Sequence, residues 1–386
     1  MASHYIFFEN GRDGASQGFL DPEHILVAWS PDQVETVFQQ MHAAHDVGKW
    51  LAGFSAYELG YVLEPSLASC LQDHRKSPLI CFGVFDAPDV LRARGLMHSG
   101  RQNMGQAKLT PPDPMWSLDR YTDAFHRLHG YIGAGDIYQA NLTFPMVARW
   151  SGEALGLYAA LREMQAVHHG AIADLGEGPV LLSRSPELFF QVDAEGIIET
   201  RPMKGTTPRG ATQAEDDRLK YFLATDEKNR AENLMIVDLL RNDISRVAEI
   251  GSVHVPELFT VETYETVHQM TSLVRAKLRT DASLRDIFDA LFPCGSITGA
   301  PKIRAMEIIH ELEESPRDIY CGTMGWIAPT GEMRFNVAIR TLSLFDDGLA
   351  HLNVGGGVVW DSTAASEYEE ALWKARYTKM RRQGPK

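Results

Sequence analysis

Lys204 follows a strand-like run and an Arg-Pro pair in "ETRPMKGTTPRG" (199–210), among glycine and threonines that let backbone amides reach a ligand. A lysine there is either a solvated loop residue or a reactive amine. An unperturbed lysine is only about 0.4% neutral at pH 8, so nucleophilic work requires a lowered pKa. Burial and the neighbouring Arg201 and Arg209 would lower it. Glu367, Glu370 and Lys374 recur at i, i+3, i+7 near the end of the chain, on one face of a helix. On spacing alone this is a solvated face with a Glu370–Lys374 pair. As chemistry it is a carboxylate pair for Mg²⁺, which takes one or two protein carboxylates plus ligand oxygens and would draw a further one from elsewhere, such as Glu232. His268 in "ETVHQMTS" is a packed strand histidine or an acid–base group. Gly355, Gly356 and Gly357 are a glycine hairpin or bulge, or a bare backbone surface for a carboxylate. Thr298, in "GSITGAPK", leads into a helix N-terminus that is either a capped end or an anion site.

The elements that must position these groups follow from periodicity. "HYIFFEN" and "PLICFGVFD" read as strands, and "PDQVETVFQQMHAAHDVG" as a helix burying Val34, Val37, Phe38 and Met41. From Leu91 to Pro114 the pattern fades towards a Pro-rich linker, which sets the expected division into an N-terminal part, 1–110, and a main region, 116–383. Helices are predicted over "SLDRYTDAFHRLHGYIGAG", "DEKNRAENLMIVDLLRNDISRVA", "GAPKIRAMEIIHELEE" and "SEYEEALWKARYTKM". "RFNVAIRTLSLF" alternates, placing Arg340 opposite Phe335, Val337 and Ile339, and "HLNVGGGVVW" reads as strand, glycine turn, strand. Paired strands and clustered helices predict an antiparallel-rich α+β fold rather than a βαβ repeat.

Composition excludes several classes. The 386 residues are 44% hydrophobic and 23% charged, with a net charge of -14. That charge argues against nucleic acid, which needs a basic surface. It also requires any anion site to be locally positive. No apolar run approaches the ~20 residues that span a bilayer, the N-terminus lacks a secretory pattern, and the four cysteines form no CxxC pair. A cytoplasmic protein with reduced thiols, without a membrane partner, is expected.

The order of ten segments is more specific than any one of them. "GDIYQANL", "SPELFF", "RPMKGTTPRG", "RAENLMIVDLLRND", "YETVHQMTS", "FPCGSITGAPKIRAMEII", "YCGTMGW", "NVAIRTL", "GGGVVWDS" and "EYEEALWKA" follow one another as in the chorismate-utilising enzymes, which the chain resembles over about residues 116–383. The resemblance implies two packed antiparallel sheets flanked by helices, with chorismate in a cleft. It implies Mg²⁺ on Glu232 and Glu370, with Glu367 one turn away. Gly205, Thr206, Gly355, Gly356, Gly357 and Lys374 would surround the ring carboxylate, and Arg340 and Trp326 would hold the enolpyruvyl carboxylate. Thr298 and His268 would lie near the ring.

Within that family "PMKGT" is similar to the PIKGT of aminodeoxychorismate synthases, whereas anthranilate synthases have alanine at the lysine position. The resemblance thus implies Lys204 as the nucleophile at ring C2, Glu187 as the acid for the departing 4-hydroxyl, and ammonia as the group that enters at C4. No Gly-x-Cys-x-Gly nucleophile elbow is present, so ammonia is expected from a separate glutamine amidotransferase subunit or from free ammonium.

Overall fold

The alternating apolar runs become strands of two antiparallel sheets, each ten-stranded among the residues that the computed structural model describes (4–9, 16–164, 166–264 and 267–379). One sheet runs from the short edge strand Gly299–Ala300 through Gln139–Ser151, Leu349–Val358 and Thr341–Leu344 to Tyr5–Phe8 and Gln17–Leu20. The other runs from Met203–Pro208 through Val267–Lys277, Met333–Val337 and Thr323–Ile327 to Trp50–Ser55, Ile80–Phe85 and His24–Ala28. Apolar side chains of both, including Ile6, Phe8, Phe19, Phe54 and Met324, form one core between them. Period-3.6 helices cover the outer faces. Val37, Phe38, Ile236, Leu240 and Phe288 cluster with Phe190 and Phe335 of the second sheet. Tyr121, Phe125, Ile308 and Tyr368 cluster with Phe144 and Leu352 of the first. This is the expected α+β arrangement of packed sheets flanked by helices.

Three expectations change. The first 110 residues do not stand apart: Tyr5–Phe8 pairs with Ala171–Asp174, and Trp50–Ser55 with Thr323–Ile327, so N-terminal strands enter both sheets. The supposed linker itself pairs, Asp113–Pro114 lying against Val147 and Met146. Residues 380–383 of the expected main region lie outside the described ones. The faded stretch is a helix, Val90–Asn103, capped by the Asp89 carboxylate and burying only Ala93, Met97 and Gly100. So narrow a stripe of small residues leaves a weak periodic signal. The alternation of "RFNVAIRTLSLF" is cut in the middle. Met333–Val337 belongs to one sheet and Thr341–Leu344 to the other, and Arg340 turns the corner between them at φ 51.

A buried ion pair ties these layers together. Arg317, 3% exposed, donates from Nε and Nη2 to the two oxygens of Glu313, from Nη1 to Ile297 O and from Nη2 to Asn141 O. Its guanidinium also lies over the Tyr57 ring, and its backbone N–H donates to Glu58. Removing one partner of such a pair strands a buried charge. Arg317→Leu is therefore expected to lower unfolding free energy by about 3–5 kcal/mol in urea titration, whereas Arg120→Leu, at an exposed pair with Glu314, should change it by less than about 1 kcal/mol.

Candidate active site

A cavity of about 660 Å³ opens where the two sheets part, between the helices Glu227–Ser245 and Ala364–Lys374. Lys204 reaches it from a strand rather than the turn suggested by its glycine and threonines. Met203 pairs with Thr271 and Thr206 with Gln269, so three steps on one strand oppose two on its neighbour. This bulge at Lys204–Gly205 re-aims the lysine. Gly205 takes φ +80, and a Cβ there would come 2.6 Å from Asn229 Oδ1. Glycine serves both the left-handed backbone and the close approach.

Gly355, Gly356 and Gly357 are not a hairpin. They lie within one continuous strand, opposite Thr143, Leu142 and Asn141. A Cβ at Gly356 would sit 3.0 Å from Glu367 Oε2 and 3.5 Å from Lys374 Nζ, and one at Gly357 would sit 3.4 Å from Lys204 Nζ. Lacking side chains, this strand lets functional groups close on both of its faces. Lys374 donates to Gly355 O at 2.8 Å and pairs with Glu370 at 2.8 Å. Glu367 accepts from Ser362 Oγ at 2.7 Å. Glu187 enters from the loop between two strands, where Ser185 Oγ donates to Val337 O, and its carboxylate accepts from Ser296 Oγ at 2.7 Å.

The electrostatics settle what the sequence left open about the lysine. Burial lowers the Lys204 pKa, outweighing the opposite pull of Glu187, Glu232 and Glu370, while Lys374 adds to the lowering. Arg201 and Arg209 are engaged elsewhere, with Glu257 and Glu262 and with Asp216. Among the described residues the Lys204 amine has no hydrogen-bond or ion-pair partner. Burial raises the Glu187 pKa against the lowering influence of the Ser296 hydrogen bond, Lys204, Arg340 and Lys374, which favours a carboxyl that still carries its proton. The site thus holds an amine biased towards its lone pair beside an acid biased towards its proton. Arg340 also lines the cleft without a protein partner among the described residues, near Tyr377, whose buried hydroxyl has none either. Two unpaired donors in one wall suit a carboxylate.

Lys204, Glu187, Gly205, Thr206, Glu232, Arg340, Gly355, Gly357, Glu367, Glu370 and Lys374 line this one cleft, and Gly356 abuts its carboxylates. Three candidates are placed elsewhere. His268 is buried behind the strand, with Nε2 3.0 Å from Asp216 Oδ1 and Nδ1 3.0 Å from Thr263 Oγ1, while its neighbours Val267 and Gln269 face the cavity. Strand alternation assigns the cleft to Gln269, which donates to Gly205 O and accepts from Thr206 Oγ1. Trp326 packs on Trp50 with centroids 5.7 Å apart, in a separate small pocket beside Phe8 and His169, and Tyr320 lines the cleft instead. Thr298 is fully buried, its hydroxyl donating to Cys294 O and Gly295 O, and Ser296 takes the place at the cavity wall. Sequence reasoning also missed Gln139 and Asn141, two apart in the quoted "GDIYQANL" and so on one strand face. The Gln139 amide is buried with neither atom bonded, and its Nε2 would be 2.7 Å from a Cβ at Gly357.

For a divalent cation, the donor chemistry fits. Glu232 and Glu367 have pKa values raised chiefly by burial and further by facing Glu370, against the lowering pull of Lys204 and Lys228 on the first and of Ser362 and Lys374 on the second. Among the described residues no group of three or more His, Cys, Asp or Glu is close enough to hold a metal by itself. A cation here would therefore take one or two of these oxygens and complete its shell from substrate and water, as Mg²⁺ does.

Comparison with known proteins identifies the family. Residues 3–379 match the model of the chorismate binding enzyme family. The chain is 45% identical over 258 residues to aminodeoxychorismate synthase component 1 of Klebsiella aerogenes, a match covering 67% of this chain and 56% of that one. It is 40% identical over 256 residues to an anthranilate synthase component 1 of Haloarcula marismortui, covering 66% and 50%. The match thus spans about half the length of these curated relatives. The crystal structure of anthranilate synthase component I from Streptococcus pneumoniae superposes with a TM-score of 0.76 at 26% identity, covering 98% of this chain and 91% of that one.

The pKa direction at Lys204 is testable without turnover. Because its folded pKa lies below that of an ordinary lysine, Lys204 should become reactive to acetic anhydride at lower pH than an ordinary exposed lysine. Glu187→Gln removes the largest influence holding its proton on, and should shift its reactivity to lower pH still. Peptide mass mapping of acetylation against pH reads both shifts.

Proposed function

As the chain belongs to the chorismate-binding enzyme family, we propose that it is the component of an aminodeoxychorismate synthase that converts chorismate and ammonia to 4-amino-4-deoxychorismate, a precursor of 4-aminobenzoate and folate. One observation carries this reading: the cleft contains a desolvated, unpartnered lysine amine next to a buried carboxyl. An anthranilate synthase has no use for that lysine, although relatives of that name are similar to this chain.

The reaction must hold two carboxylates of one substrate and expel a poor leaving group. Arg340, with the Tyr377 hydroxyl, would take the enolpyruvyl carboxylate, and Glu232, Glu367 and Glu370 are suited to hold Mg²⁺ facing the ring carboxylate. When bound, the metal would supply positive charge that orients and neutralises that carboxylate. The bare edge of Gly355–Gly357 leaves room for it. The lone pair of Lys204 attacks C2, the ring double bond shifts, and the C4–O bond breaks as Glu187 gives its proton to the departing oxygen, which leaves as water. The Glu187 carboxylate takes the proton that the lysine nitrogen sheds. Ammonia then bonds to C4, the double bond shifts back, and the C2–N bond to Lys204 breaks as Glu187 returns that proton to the nitrogen, restoring the free amine; the new C4 ammonium then gives a proton to Glu187.

The ammonia would come from a separate glutamine amidotransferase. A glutaminase nucleophile needs an accessible thiolate. The four cysteines are buried, and burial pushes the Cys294 and Cys321 thiols up to about 12. The naming of relatives as component 1 agrees with a second subunit. No helix among the described residues is long and apolar enough to cross a membrane, and a cytoplasmic location suits the reduced thiols.

The deciding experiment incubates the protein with chorismate, Mg²⁺ and ammonium and identifies the product. Wild type should make 4-amino-4-deoxychorismate from ammonium and not from glutamine. Lys204→Ala should lose most of it and release some anthranilate, since ammonia is then free to attack C2. Lys204→Arg should fail as well, because a guanidinium keeps its proton. Near wild-type output from Lys204→Ala would remove the nucleophile from this reading. Glu232→Gln and Glu370→Gln should each weaken Mg²⁺-dependent activity tenfold or more, read by Mg²⁺ titration, with little change in melting temperature.

A further inference from the structure

Glu187 has to exist in two protonation states during the proposed reaction, and its hydrogen-bond partner Ser296 owns a single hydroxyl proton. Ser296 Oγ lies 2.7 Å from Glu187 Oε1 and 3.3 Å from Cys294 Sγ. All three side chains are buried. The Gly295–Ile297 turn holds this row in place, because Thr298 Oγ1 donates to Cys294 O and Gly295 O, and a Cβ at Gly295 would come 2.5 Å from Leu239 Cδ2.

Consider the row with Glu187 ionised. Ser296 then donates to the carboxylate, and the Cys294 S–H donates to Ser296 Oγ. With Glu187 protonated, a carboxyl O–H donating to Ser296 Oγ forces the serine proton to turn away. Within this buried row, the acceptor within reach of that proton is Cys294 Sγ. We propose that Cys294 is a positioning residue whose thiol exchanges donor and acceptor roles with the Ser296 hydroxyl, keeping the Ser296–Glu187 hydrogen bond intact whether Glu187 carries its proton or has lost it.

The role requires a thiol that stays protonated, and burial holds the Cys294 thiol well above neutrality, with Glu187 adding to that effect and Lys302 opposing it. The charged groups facing Glu187 are Lys204 on its strand, Arg340 at the sheet crossing and Lys374 on the last helix. Arg340 and the ion-paired Lys374 only donate, and the Lys204 amine, though it carries a lone pair in the reaction, makes no hydrogen bond to Ser296 among the described residues. The proposal rests on Glu187 as the acid of the reaction above. Its core is a hydrogen-bond switch that can be read without turnover.

Removing the sulfur costs the two states unequally. Without it the protonated state strands a buried hydroxyl proton, whereas the ionised state loses only a weak S–H donor. Cys294→Ala should therefore make Glu187 lose its proton at lower pH, by several tenths of a unit, in infrared difference titration referenced to Glu187→Gln. It should also lower kcat threefold or more while KM for chorismate stays within twofold. Cys294→Ser, which can donate and accept, should restore both. In wild type the S–H stretching band, identified by its loss in Cys294→Ser, should move to lower frequency as pH rises through the Glu187 titration, because the thiol then donates. A band that does not move, an unchanged titration in Cys294→Ala, or a Cys294→Ser variant as impaired as Cys294→Ala would each overturn the proposal. Failure of the wild type to form 4-amino-4-deoxychorismate would instead overturn the functional reading, and the infrared titration would still decide the switch.

Discussion

The buried Arg317 guanidinium binds the floor strand at Asn141, the tight turn at Ile297, the Glu313 carboxylate and the face of Tyr57. Two of these belong to the cleft: Asn141 and Ile297 line the cavity, and the same turn carries Ser296 to Glu187. A charge buried so deeply is tolerable only when every donor finds an acceptor. Glu313 contributes on both sides, since its Oε1 also accepts from the Thr143 backbone N–H of the floor strand. The geometry of the acid therefore depends on an ion pair outside the cleft, between Glu313 and Arg317 four residues on, which joins segments far apart in sequence.

Within the cleft, burial and charge act on each other. The sheets hold Lys204 in surroundings that disfavour its ammonium form, while Glu187, Glu232 and Glu370 pull the other way without prevailing. Glu187 and Glu232 are themselves raised by burial, and Lys204 lowers both. Such a balance is easily tipped by a cation or an anionic substrate, which gives ligand binding control over the protonation of the reacting groups. A net charge of -14 over the whole chain is compatible with an anionic substrate because Lys204, Lys228, Arg340 and Lys374 are gathered at the cleft.

Much of the fold was legible because burial leaves periodic marks. The helix Pro31–Asp46 buries the four residues its spacing picked out, and Ala305, Ile308, Ile309 and Leu312 mark Lys302–Leu312 equally well. The helix Val90–Asn103 left too narrow a stripe to read, and the Gly355–Gly357 run looked like a turn because glycine gives no sign of which neighbour needs the space. At the site, the motifs survived better than some exact positions within them. His268 for Gln269, Trp326 for Tyr320 and Thr298 for Ser296 are each small displacements along a motif that the sequence did identify.

Those displacements mark the division between the two kinds of information. The sequence by itself determined most of the element types, the family and the segments that reach the cleft, because local periodicity and ordered motifs are properties of the chain alone. Tertiary structure decided which face each strand turns inward, since one residue of register exchanges cleft for core. It placed a bulge at Lys204–Gly205 and a crossing between sheets at Arg340. It also decided the protonation bias of Lys204 and Glu187, because a pKa depends on distance and desolvation, which residues remote in the chain impose only once they are brought together.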